Sequence, residues 1–90
     1  HRGALTKVAP LVGAPEDWLL IGVLRLAVLF NRSRSDLPLP PLALEWDNQS
    51  FRLRLNARWL SDNPLTEMLL HQEQAEWRSV GMRLELADPV

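Results

Sequence analysis

The chain has no cysteine, two histidines and four glycines among its 90 residues, and each shortage excludes a class of chemistry. Without cysteine no disulfide can staple a chain this small, and the lack is compatible with a reducing compartment, so the cytoplasm is the expected location. His1 and His71 have no thiolate partners and cannot build a familiar closed zinc site alone. The scattered glycines match neither a P-loop nor a dinucleotide-binding turn. A marked excess of either positive or negative charge is also lacking. A net charge of −1 and a pI near 6.1 argue against a globally basic nucleic-acid binder. The longest apolar run, Trp18 to Phe30, falls short of a membrane span and contains Arg25. No signal-peptide pattern and no initiator methionine precede it, and the chain is expected to start inside a longer protein.

What is present is a small globular composition, 47 % hydrophobic and 23 % charged, with room for one modest core. Pro15-Glu16-Asp17 reads as a helix start, proline in the first turn and acids at the positive end of the helix dipole. The helix is expected to run to about Asn31. Its apolar residues occupy nearly every face, which demands cover on most sides; 90 residues can hardly supply that, so a further domain or a partner chain is expected there.

A proline-rich linker over residues 37–41 separates two expected units, 1–36 and 42–88. In the second, Leu42, Leu44 and Trp46 alternate with Ala43 and Glu45, and Phe51, Leu53 and Leu55 alternate with Arg52 and Arg54, predicting two strands. Asp47 to Ser50 supplies turn chemistry for an antiparallel hairpin. Ser61-Asp62-Asn63-Pro64 starts a second helix, with Asn63 as the expected cap and Pro64 at its first position. Leu65, Met68, Leu69, Ala75 and Trp77 mark its expected apolar side. Gly81 ends it, and Met82 to Leu86 alternate as a third strand. The fold class is therefore α+β: an apolar helix, then a small antiparallel three-stranded sheet with one helix, in the order β-β-α-β.

Candidate chemistry is sparse. Glu67, Glu73, Glu76 and Asp62 read as a solvated charged face with Arg78 nearby rather than as an acid–base pair, and His71 as a solvated helix residue. The serines show no nucleophile-elbow context. Arginines are more informative, because the guanidinium fork suits phosphate oxygens. Arg32 and Arg34 follow the first helix, Arg52, Arg54 and Arg58 are placed along the second strand, and Arg83 on the third. Glu45 and Glu85 are expected to neutralise the strand arginines in cross-strand pairs.

The run Arg25-Leu26-Ala27-Val28-Leu29-Phe30-Asn31-Arg32-Ser33-Arg34 closing an apolar helix that begins at Trp18, followed by strand pair, helix and strand, resembles the C-terminal end of the exopolyphosphatase and guanosine pentaphosphate phosphatase family. The likeness implies that residues 1–36 end a helical HD-like domain and that 42–88 form a small C-terminal α/β domain. His1-Arg2 is similar to a His-Arg pair in a late helix of that helical domain, although Gly3-Ala4 stand where several relatives carry lysines. The resemblance implies a fragment without a catalytic centre and with no cofactor of its own. Its parent would be a magnesium-dependent hydrolase of inorganic polyphosphate, or of guanosine pentaphosphate, whose chemistry resides in N-terminal actin-like domains. Implied phosphate-binding residues are His1, Arg2, Lys7, Arg32 and Arg34. The interface residues expected from the apolar helix itself are Trp18, Leu20, Leu24 and Phe30. The partners are then inorganic polyphosphate, the actin-like domains and a second copy in a homodimer, with no membrane.

Two other readings compete. A purely structural interaction module would use the apolar helix alone. Single-strand nucleic-acid binding through Trp46, Phe51 or Trp59 beside Arg52 and Arg54 is disfavoured, since alternation puts the strand rings and the charges on opposite faces.

Overall fold

The computed structural model describes residues 4–33, 40–47 and 49–89. A short helix α1 (Ala4–Val8) and a 3₁₀ turn (Ala9–Leu11) lead to the long helix α2 (Pro15–Arg32); β1 (Ala43–Asp47), β2 (Ser50–Arg54), α3 (Ala57–Ser61), α4 (Pro64–Arg78) and β3 (Arg83–Ala87) follow. The class is α+β. At the start of α2, Pro15 takes the first position, and Asp17 Oδ2 accepts from the Ala14 N–H at 3.2 Å, satisfying one free donor of the entering backbone. Of the expected linker, residues 37–39 lie outside the described residues.

The strands pair in the order β1-β2-β3. β1 and β2 form the expected antiparallel hairpin, with Trp46 opposite Phe51 and Glu45 opposite Arg52. Asp47 Oδ1 closes the turn, accepting from the Ser50 N–H at 3.2 Å and the Ser50 hydroxyl at 3.0 Å. The third strand corrects the antiparallel expectation: β3 runs parallel to β2, with Phe51 opposite Leu84 and Leu53 opposite Leu86, so the sheet is mixed. The cause is the connection. α3 and α4 carry the chain back across one face of the sheet to the end where β2 began, as parallel strands require.

Helix α3 was not expected, and it removes Arg58 from the strand. Asn56 makes it possible, its Oδ1 accepting from the Trp59 N–H at 2.9 Å. Asn63 in turn does not cap α4 with its side chain. Its Nδ2 donates to the Trp59 carbonyl at 2.7 Å, while its own carbonyl accepts from the Glu67 N–H, binding α3 to α4. The buried face of α4 is Thr66, Leu70, Glu73 and Trp77; Leu65 and Met68, expected inside, are half exposed. Gly81 ends the segment at φ +76°, where a side chain would be strained.

One buried cluster joins Leu5, Leu26, Leu29 and Phe30 to Phe51, Leu53, Leu55, Leu60, Leu70, Trp77, Met82 and Leu84. Phe51 is its hub, 1 % exposed, with ring centroids 4.5 Å from Trp46 and 4.7 Å from Trp77. Gly22 of α2 lies directly against it: a Cβ built there would come within 2.5 Å of the Phe51 ring. A mid-helix glycine costs about 1 kcal/mol against alanine, and this close approach of helix to ring is what it permits.

Gly22→Ala is therefore expected to destabilise the fold by about 2 kcal/mol, since overpacking outweighs the propensity gain; a lower urea midpoint would show it. The hairpin turn adds a pH signature. The Ser50 hydroxyl, with the Gln49 N–H, holds the Asp47 carboxyl below its ordinary value of 3.8. Because the folded value is the lower one, this contribution is complete above 3.8 and fades as pH falls through the folded value. Asp47→Ala is expected to flatten that acid limb of the stability profile.

Candidate functional site

Helices α2 and α4 run antiparallel, as three contacts show. Trp18 meets Trp77 edge-on at 5.7 Å, Arg25 meets Glu73, and the Thr66 hydroxyl donates to the Ser33 hydroxyl at 3.0 Å. Between them lies a groove of about 640 Å³ whose lining includes Leu24, Val28, Arg32, Leu69 and Ala75. Arg25 spans it near one end. Its Nε donates to Glu73 Oε2 at 2.5 Å and its Nη2 to Glu73 Oε1 at 3.0 Å, while the indole N–H of Trp77 donates to Glu73 Oε2 at 3.1 Å. Glu76 approaches the same guanidinium at 4.0 Å.

This arrangement corrects the reading of Glu73 and Glu76 as a solvated face. Glu73 is 8 % exposed and every bond it makes is to α2 or to its own helix. A carboxylate so buried needs charge and hydrogen bonds to offset lost hydration, and the fork of Arg25 with the Trp77 indole supplies three. The Glu73–Trp77 spacing of four residues was visible in sequence, but Arg25 lies 48 residues away and only the antiparallel helix pairing brings it in. The network fixes α2 on α4; it holds no nucleophile and no open acid–base pair.

The remaining arginines divide into engaged and unengaged groups. On the outer sheet face Arg52 bonds Glu85 at 3.1 Å and Arg54 bonds Glu45 at 3.2 Å, the cross-strand neutralisation expected from the alternation, while Trp46 and Phe51 face the core. Arg83 reaches Glu85 at 3.7 Å. Lys7 of α1 and Arg32 at the end of α2 are exposed and have no ion-pair or hydrogen-bond partner among the described residues. The guanidinium groups of Arg58 and Arg78 are likewise exposed and without an ion-pair or hydrogen-bond partner among the described residues. His1, Arg2 and Arg34 lie outside the described residues. His71 is exposed, its Nδ1 3.0 Å from Gln74 Oε1.

Of the four expected interface residues, Leu20 and Leu24 lie at the surface, 60 % and 56 % exposed. Trp18 is half-buried on Trp77, and Phe30 faces the core, 6.5 Å from the Trp59 ring. Val23 and Val28 are exposed beside Leu20 and Leu24, so the open apolar face of α2 is Leu20, Val23, Leu24 and Val28. The groove places Leu24 and Arg32 on one wall. Among the described residues no three acidic or histidine side chains gather where a metal ion could be held, and no helix is long and apolar enough to cross a membrane.

The family model described as Ppx/GppA phosphatase, domain III, matches residues 14–74, from the start of α2 into α4. The chain belongs to the Ppx/GppA phosphatase family. Its domain III match covers all of α2 and the first part of α4, the two helices that form the groove. A relative from Vibrio atlanticus (strain LGP32), named guanosine-5'-triphosphate,3'-diphosphate pyrophosphatase, is 33 % identical over 67 residues. Those residues are 74 % of this chain and 14 % of the relative, so this Ppx/GppA chain corresponds to a small part of that protein's length.

Breaking the Arg25–Glu73 bond from one side should cost about 3 kcal/mol, because it leaves a largely buried charge without its partner. Arg25→Met is therefore expected to lower the urea midpoint strongly, and the double variant Arg25→Met with Glu73→Leu to recover most of the loss. A double variant as unstable as the single would contradict this account of the pair.

Proposed function

We propose that this chain is a non-catalytic accessory region of a longer exopolyphosphatase-type phosphohydrolase, contributing to polyphosphate retention and to dimer assembly. The observation that carries the reading is the division among cations. Arg25, Arg52, Arg54 and Arg83 are engaged by carboxylates, whereas Lys7, Arg32, Arg58 and Arg78 keep their charge open to solvent, and the first two of these belong to the five residues assigned to phosphate. An exposed guanidinium suits phosphate oxygens and binds a polyanion in a salt-dependent way. His1, Arg2 and Arg34 complete the proposed phosphate set by sequence. Catalysis and magnesium belong, on this reading, to actin-like domains outside the chain, and the protein works in the cytoplasm.

A second reading keeps the role and changes the substrate: guanosine pentaphosphate in place of polyphosphate, favoured by the printed name of the Vibrio relative. A third, a purely structural interaction module, is favoured by the open apolar face of α2.

The readings separate on immobilised long-chain polyphosphate. Retention is expected to weaken with salt and with shorter phosphate chains, and Arg32→Ala with Lys7→Ala should reduce it several-fold without altering the thermal midpoint. Equal, negligible retention of wild type and variant would overturn the polyphosphate reading and leave the other two, which a free guanosine pentaphosphate binding titration then separates.

A further inference from the structure

Both helices that precede the expected linker make their anchoring contacts beyond it. Along α2, Trp18 meets Trp77 at 5.7 Å, Gly22 lies on the Phe51 ring, Arg25 is bonded to Glu73, Phe30 meets Trp59 at 6.5 Å and the Ser33 hydroxyl accepts from Thr66. The helix is therefore held from its first turns to its C-cap, by β2, α3 and α4. Helix α1 follows the same rule on a smaller scale: Leu5 enters the common cluster, and α1 packs on α4.

Neither side of the linker has a core of its own. Helices of 5 and 18 residues are at best marginal in water without tertiary packing. Without α2, the sheet and α4 would open Phe51, Leu53 and Trp77, which are 1 %, 2 % and 1 % exposed, as one apolar patch of the kind that folded proteins cover. Each side supplies the cover that the other lacks. The domain III match, residues 14–74, spans the same linker.

We infer that the face built by β2, α3 and α4 is a docking surface for α1 and α2 of the same chain, so that residues 4–33 and 40–89 form one interdependent unit whose halves stay together without the covalent link between them. On the reading of Lys7 and Arg32 as phosphate residues, the C-terminal half is then what positions both cations, since it seats the helices that carry them.

A flexible insert with a protease site after Asp36 allows the folded chain to be cut between the two sides. The cut protein is expected to sediment at the mass of the whole chain at about 1 μM, as a dissociation constant below that concentration requires, and to melt in one transition. Gly22→Val drives side-chain atoms into the space of the Phe51 ring and should weaken the association of the cut halves by at least about tenfold. Phe30→Leu, a milder loss at the same surface, should weaken it several-fold, and Val23→Ala, at an exposed position of the same helix, should leave it unchanged. Circular dichroism of each uncut variant confirms that it is folded. Separation of the cut wild-type halves at that concentration overturns the inference, as does equal weakening by Gly22→Val, Phe30→Leu and Val23→Ala. Polyphosphate retention is read independently on the same samples: its absence from a cut chain whose halves remain together removes the phosphate reading and leaves the docking of α1 and α2 standing.

Discussion

The ring of Phe51 touches α2, α4 and β1, and the positions of those elements follow from it. Its edge lies against Gly22, its ring plane is tilted on Trp77, and Trp46 lies across the hairpin from it. Burying a side chain of this size is worth about 2 kcal/mol from area alone, and contacts between aromatic rings add to that. Because the ring meets bare helix backbone at Gly22, α2 sits closer to the sheet than any larger residue would permit. The spacing of the helix pair above the sheet is thereby fixed at one point, and the Arg25–Glu73 bond fixes it at a second.

Those two points have different chemistry and different roles. The aromatic contact is non-directional and supplies apolar burial. The ion pair is directional: a guanidinium fork and an indole N–H leave Glu73 one arrangement that satisfies it. Such a pair contributes less to net stability than its geometry suggests, because both charges lose hydration. Its effect is to choose one rotation of α2 on α4, and that rotation turns Leu20, Leu24 and Val28 outward. The open face of α2 is thus a consequence of what its opposite side must bury.

Much of the fold was legible because its signals are local. Alternation located all three strands, the Asp47–Ser50 turn predicted the hairpin, and the opposed faces of Phe51 and Arg52 anticipated the cross-strand ion pairs. Where the outcome depended on distant residues, sequence pattern failed. Glu73 looked like a surface carboxylate because its partner lies on another helix. Leu65 and Met68 looked internal because a helix stripe can be drawn through them, but the groove partner of α4 is α2, which meets the side carrying Thr66, Leu70 and Trp77. The direction of β3 depended on where α4 delivers the chain, which alternation does not encode, and α3 was read as strand because Asn56 was not recognised as a cap. Of the candidate site, the all-round apolarity of α2 signalled that part of it would stay uncovered, but that the open part is Leu20 and Leu24 rather than Trp18 and Phe30 depended on which side packs on α4 and the sheet.

The parallel pairing of β2 with β3 gives the sheet an order of assembly. β1 and β2 are joined by a turn and need nothing else to meet, whereas β3 can reach β2 only after α3 and α4 have been laid across the sheet. Until Arg83–Ala87 arrive, one edge of β2 presents unpaired backbone groups beside Phe51 and Leu53, the kind of edge on which chains aggregate. During synthesis β3 emerges after the hairpin and two helices and is the strand that seals this sheet, and the segment most exposed to misassociation is the one that holds the hub of the core.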